Sequence, residues 1–176
     1  MDLKDHIRSI PDFPTEGIVF RDITTLLRDP HALSEAVEAL SEPFAGEGVD
    51  LVLAAEARGF IFGGAVACRL GAGFVPVRKP GKLPAETIER SYELEYGTDT
   101  LTMHRDAVTP GQRVLLLDDL LATGGTMKAC CELVEEAGGQ VVGCIFLVEL
   151  SFLGGRELLK DYKVVSLVDY ASEEDQ

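Results

Sequence analysis

Residues 114–126 read VLLLDDLLATGGT, and this stretch limits the possible fold more tightly than any other. Four consecutive large apolar residues, Val114, Leu115, Leu116 and Leu117, have no polar face to offer to solvent. Such a run suits a strand covered on both sides, as in a parallel sheet layered between helices. The strand is predicted over 113–117. Two adjacent carboxylates, Asp118 and Asp119, follow where it is expected to emerge. The small residues Ala122, Thr123, Gly124, Gly125 and Thr126 then open a helix predicted over 126–137.

The same alternation recurs along the chain. Asp29 and Pro30 form a helix N-cap with proline at the first helical position, and Leu33, Val37, Leu40 and Phe44 continue at helical spacing until Gly46 and Gly48. Further strands are predicted over 51–55, 74–77, 140–148 and 163–168, and further helices over 60–70 and 156–160. Between 78 and 90, two prolines, one glycine and few apolar residues predict an exposed, mobile loop. An antiparallel hairpin is predicted next, with strands over 91–96 and 100–104 around Gly97. The expected class is α/β: a mostly parallel sheet with helices on both faces, whose ligands bind at the carboxyl ends of the strands.

At 176 residues the chain has the size of one domain, and no repeat or linker divides it. Its formal net charge of −14 opposes nucleic acid and anionic membrane surfaces, which need a positive field. No apolar run reaches the roughly 18–20 residues of a membrane span. Residues 1–10 mix charged and apolar side chains and so do not read as a signal peptide, and a cytoplasmic location is expected. Cys68, Cys130, Cys131 and Cys144 lack metal-binding spacing and are expected to be reduced and buried. His6, His31 and His104 are scattered, which argues against a histidine metal cluster.

The loop after Asp119 carries the chemistry. Paired glycines let successive backbone N–H groups turn inward as an anion nest, and the helix start adds the positive end of its dipole. Thr123 and Thr126 can add hydroxyl donors. A nucleotide P-loop would need a lysine before its Ser or Thr, and none stands in this loop. A dinucleotide fingerprint after the first strand is also missing. Two carboxylates beside a monophosphate nest instead suit a sugar phosphate, whose vicinal hydroxyls they can accept.

This segment resembles the phosphoribosyl pyrophosphate (PRPP) motif of type I phosphoribosyltransferases. The stretches IPDFP (10–14), GIVFRDI (17–23), EARGF (56–60), RKPGKLP (78–84) and LEYG (94–97) resemble the adenine-using members in order and spacing, across roughly residues 7–170. The resemblance implies the type I phosphoribosyltransferase fold in a single domain, 1–176, with an N-terminal base-binding hood (1–28) and a flexible catalytic loop or hairpin (78–98) over the active site. It implies that adenine and PRPP give AMP and diphosphate, a Mg²⁺-dependent step of purine salvage. No protein metal cage is expected, because Mg²⁺ would be held mainly by substrate oxygens and water.

Roles follow by matching positions. Ala122, Thr123, Gly124, Gly125 and Thr126 would hold the 5-phosphate of PRPP or AMP. Asp118 and Asp119 would accept the ribose hydroxyls and stabilise an oxocarbenium-like transition state. Glu56, Ala57 and Arg58 would form a pyrophosphate loop, with Arg78, Lys79 and Lys82 neutralising the leaving group. Glu95 would be the acid/base near N7 of the base, and Tyr96 would close over the ribose. Val19 and Arg21, largely through main-chain groups, with Leu120 and Leu150, would form the adenine slot. A homodimer is implied, with no nucleic-acid or membrane partner. Two other readings stay open: a non-catalytic PRPP or nucleotide sensor, and an enzyme using xanthine, hypoxanthine, guanine or orotate. Against the acidic total, residues 51–90 carry six basic and three acidic side chains, the one positive stretch.

Overall fold

The computed structural model describes residues 1–94 and 96–175. In chain order it forms β1 (Arg8–Ile10), β2 (Phe20–Asp22), α1 (Thr24–Leu27), α2 (Pro30–Ser41), β3 (Leu51–Ala55), α3 (Gly59–Leu70) and β4 (Gly73–Val77). A hairpin follows, β5 (Thr87–Glu93) and β6 (Thr98–His104), and then β7 (Arg113–Leu121), α4 (Gly125–Glu136), β8 (Gln140–Leu150) and β9 (Val164–Tyr170). The central sheet has the order β4-β3-β7-β8-β9 and is parallel throughout. β1 pairs antiparallel with β2.

Alternation along each central strand sorts the core into two layers, because successive side chains leave opposite faces. Val114 and Leu116 of β7 meet Cys144 and Phe146 of β8 on one face, closed by α4 and the hairpin through Met127, Leu133 and Met103. Leu115 and Leu117 meet Ile145 and Leu147 on the other, under Leu26, Leu40 and Phe62 from α1, α2 and α3. Asp29 caps α2, accepting the N–H groups of His31 and Ala32 at 2.9 and 3.2 Å.

Several expectations are corrected. The β7 strand does not stop at Leu117 but runs through both carboxylates to Leu121, because β8 continues to pair with it. The hairpin begins at Thr87, four residues before the expected start at 91, so the irregular loop shrinks to 79–86. Its second strand is tied to the end of β4 by Arg78, whose N–H and C=O both bond to Thr102 at 3.0 and 2.7 Å. The last turn of the first long helix, Glu42–Phe44, is 3₁₀, with Pro43 inside it. The segment predicted helical over 156–160 is a 3₁₀ turn, Gly155–Leu159. Cys68 is exposed on α3, whereas Cys130, Cys131 and Cys144 are buried.

Two glycines set the layer spacing. A Cβ at Gly63 would lie 2.7 Å from the Phe74 ring and 2.9 Å from the Ala54 Cβ, so α3 can approach β3 this closely only without a side chain there. At Gly143 an added Cβ would lie 2.5 Å from the Phe44 ring. Gly143→Ala therefore overpacks the core by about 1–3 kcal/mol, and a thermal melt is expected to show Tm lowered by roughly 2–12 °C. An unchanged Tm would contradict this packing.

Candidate functional site

Strands β3 and β7 pair from Leu51↔Val114 to Ala54↔Leu117 and then part. Past that point the Glu56 N–H donates to the Val77 carbonyl at 3.0 Å, on the β4 side, while Asp118, Leu120 and Leu121 stay paired with β8. The chain leaves β3 for a helix on one face and β7 for a helix on the other. This is the switch point of a doubly wound sheet, where a crevice must open at the carboxyl ends.

A cleft of about 320 Å³ fills that crevice. Its walls include Glu56, Ala57 and Arg58 after β3, Asp118 and Asp119 on β7, and the whole loop 122–126. Gly124 has φ +89°, a left-handed conformation that turns the chain into α4. The first-turn N–H groups of a helix have no partner within it, so α4 offers them, with its dipole, to an anion in the cleft. The start of α3 lies close by: a Cβ at Gly59 would sit 2.9 Å from Asp118 Oδ1.

The carboxylates differ. Asp119, 8% exposed, accepts from Arg58 Nε at 2.6 Å, and this bond raises the already high pKa of the guanidinium. Asp118 accepts the Asp119 N–H at 2.9 Å. Burial, and then the neighbouring charge of Asp119, push the Asp118 carboxyl well above the usual carboxylate range. On the β4 side Glu56 Oε1 accepts the Lys79 N–H at 2.7 Å and lies 3.4 Å from Arg78 Nε, which ties the two loops together.

A second, smaller cavity of about 120 Å³ adjoins the cleft and shares Arg58, Asp119 and Leu120 with it. Val19, Arg21, Leu120 and Leu150, separated widely in sequence, all line it. The Arg21 guanidinium donates to Ser9 Oγ at 2.6 Å and the Glu173 carbonyl at 2.9 Å, and stacks 3.9 Å above the Tyr170 ring. Below it, the Thr24 hydroxyl and then Arg8 hold the Asp22 carboxyl down to about 2, which anchors β2. An anion cleft joined to an apolar slot can take a phosphorylated sugar bearing a flat base.

Residues 23–174 match the phosphoribosyl transferase domain family. An adenine phosphoribosyltransferase of Acidobacterium capsulatum is 57% identical over 169 residues, 96% of this chain and 93% of its own. The chain belongs to the adenine phosphoribosyltransferase family. The crystal structure of the adenine phosphoribosyltransferase from Thermoanaerobacter pseudethanolicus has a TM-score of 0.93 at 56% identity, covering 96% of this chain and 98% of its own. The Saccharomyces cerevisiae adenine phosphoribosyltransferase, solved with an imino-altritol bisphosphate and adenine, has a TM-score of 0.89 at 40% identity, over 94% of this chain and 96% of its own.

The resemblance to the adenine phosphoribosyltransferase family named more residues than the cleft gathers. Lys79 lines it, and its ammonium pairs with Asp99 of the hairpin. Arg78 lies behind, on Glu56, while Lys82 and Tyr96 are exposed and outside the lining. Glu95 lies outside the described residues. Conversely, the cleft includes Tyr92, whose hydroxyl accepts from Thr126 Oγ1 at 3.2 Å and donates to Asp99 Oδ2 at 3.3 Å. Strand alternation in the hairpin was the available signal for it. Ile18, Phe20, Ile23 and Val148 also line the slot; the first three lie in the GIVFRDI stretch, but no role was expected of them.

The raised Asp118 pKa has a sign. Between its unfolded and folded values the native state binds the extra proton, so stability falls as pH rises through that window. Asp118→Asn removes the penalty. Its Tm is expected to exceed that of the parent at about pH 7, with the difference shrinking as pH falls toward about 4. Thermal melts across that range check this, and a difference that grows on acidification would contradict it.

Proposed function

We propose that the chain transfers the 5-phosphoribosyl group of PRPP to adenine, giving AMP and diphosphate, and so serves purine salvage. The observation that carries this reading is the apolar slot sharing Asp119 and Leu120 with the anion cleft, because a base in one and a ribose phosphate in the other would meet at the shared edge. The loop 122–126 takes the 5-phosphate on the N-terminus of α4. Asp118 and Asp119 accept the ribose hydroxyls. Glu56, Ala57 and Arg58 face the diphosphate, with Lys79, Arg78 and Lys82 supplying positive charge along its exit.

In the reaction the C1–oxygen bond to diphosphate breaks and the bond from N9 of adenine to C1 forms. Positive charge grows at C1, and the fixed carboxylates beside it favour that state over the ground state. The imidazole proton of adenine leaves as N9 attacks, with Glu95 as its acceptor near N7. Arg58 pairs with Asp119 in the free protein, and diphosphate draws that guanidinium toward its own oxygens, leaving Asp119 to the ribose. Tyr96 and the rest of 78–98 close over the ribose and exclude water.

Adenine is read by the slot formed by Val19, Arg21, Leu120 and Leu150. Backbone groups of β2 set the choice of a 6-amino over a 6-oxo purine, since the wrong group leaves buried polar atoms unpaired. Mg²⁺ fits this donor set, since the carboxylates of Asp118 and Asp119 stand at the cleft and offer hard oxygen atoms beside those of a substrate. When bound, Mg²⁺ would neutralise diphosphate, with substrate oxygens and water as most of its ligands. The functional unit is a homodimer in the cytoplasm, in keeping with the small-residue helix α3, which exposes Ile61 and Cys68. No described helix is long and apolar enough to cross a membrane.

Purified protein with PRPP, Mg²⁺ and adenine is expected to form AMP, and hypoxanthine is expected to react at least about 100-fold less efficiently. Asp119→Ala and Glu95→Ala are expected to lower kcat about 100-fold, whereas Arg58→Ala acts mainly on PRPP, raising its KM about tenfold. Pyrophosphate release that does not depend on a base would overturn the transfer reading. Full activity in all three variants would overturn the site.

A further inference from the structure

Glu149 is only 4% exposed, yet it is charged. Its two oxygens accept from Arg156 Nε and Nη2 at 2.8 Å each, and Oε2 also accepts from Ser166 Oγ at 2.5 Å. Arg156 Nη1 reaches the Val164 carbonyl at 3.1 Å, so the fork is fastened to β9 as well. Burial opposes the charge on Glu149, but the bonds from Arg156 and Ser166 outweigh it and hold the carboxyl below its usual range. A bidentate pair fixes geometry as well as charge.

The positions of this pair in the chain matter. Glu149 immediately precedes Leu150, which lines the base slot. Arg156 immediately follows Gly155, which is pressed against the phosphate loop. A Cβ on Gly155 would lie 2.4 Å from the Ala122 carbonyl oxygen, and one on Gly124 would lie 2.6 Å from the Gly155 carbonyl oxygen. The two backbones touch with no room for a side chain between them. Closing the Glu149–Arg156 pair therefore clamps 150–155 against the loop 122–126 from outside the cleft.

We propose that the Glu149–Arg156 pair, acting through Gly155, positions the loop 122–126 for the 5-phosphate. Both are positioning residues that touch no substrate. The inference rests on the reading of 122–126 as the 5-phosphate site. Its signature is selective, because the pyrophosphate side of the cleft hangs on α3 and on β3 and β4, two and three strands away from β8.

The test compares Arg156→Lys, which keeps the charge but loses the fork, with Gly155→Ala, which keeps the pair but pushes on the Ala122 carbonyl. Thr126→Val perturbs the loop directly. Calorimetric titration of ribose 5-phosphate, and separately of pyrophosphate, is run on each variant after a thermal melt confirms folding. Both positioning variants are expected to bind ribose 5-phosphate about tenfold more weakly, with pyrophosphate affinity within about twofold of the parent. If Arg156→Lys does not fold, Glu149→Gln, which keeps the side-chain shape but breaks the bidentate pair, takes its place with the same expected result. If Thr126→Val weakens ribose 5-phosphate while the positioning variants bind it normally, or lose both ligands equally, the proposal is overturned and the loop reading stands. If Thr126→Val binds ribose 5-phosphate like the parent, the loop reading fails and the proposal with it.

Discussion

The parting of β3 from β7 after Leu117 is the constraint on which the rest of the molecule depends. Up to that residue the two strands share hydrogen bonds and bury leucines in both layers. Beyond it each strand keeps a partner only on its outer side, and the chain must turn to opposite faces to form α3 and α4. Parallel strands bring both helix starts to the same end of the sheet, so the crevice between them collects N-terminal dipoles and loop N–H groups in addition to Arg58 and Lys79. Topology alone makes such a crevice favourable to anions, so a net charge of −14 does not oppose the phosphate ligands proposed for it. Screening over a distance of roughly 8–10 Å makes the distant acidic surface count for little there.

Two carboxylates in such a crevice look contradictory until their partners are considered. Asp119 is balanced by Arg58, and Asp118 lies at the start of α3 where Gly59 leaves it space. The acidic pair is therefore held in place before any ligand arrives, with burial first and the charge of Asp119 second pushing the Asp118 carboxyl above its usual range. A bound ribose with Mg²⁺ would change that balance, since cations and hydroxyl donors favour the ionised form. The free cleft is in this sense poised: its cation is parked on its own anion, and substrate charge has to exchange with both.

Much of this was legible in the sequence because the segments concerned are local. The apolar run before Asp118, the double glycine after Thr123 and the Asp29–Pro30 cap each specify their structure within a few residues. Where the sequence misled, pairing between distant strands had decided the outcome. The extension of β7 through Asp118 to Leu121 is imposed by β8, and the early start of the hairpin by the pairing of Thr87–Arg90 with Leu101–His104. Tyr92 and Gly155 belong to the same class: each matters because of what lies across from it, Thr126 in one case and Gly124 in the other. The Arg21 side chain follows the same rule, since its partners Ser9, Tyr170 and Glu173 come from opposite ends of the chain and meet only in the folded state.

The central claim is that one molecule spans both cavities, with its phosphate on the start of α4 and its base in the slot beneath β2. A crystal structure with AMP tests it most directly. The account predicts phosphate oxygens within about 3.1 Å of the N–H groups of 122–126, ribose hydroxyls on Asp118 and Asp119, and the purine between Val19, Leu120 and Leu150. Phosphate bound instead at Arg58 and Lys79, with the purine outside the slot, would contradict it.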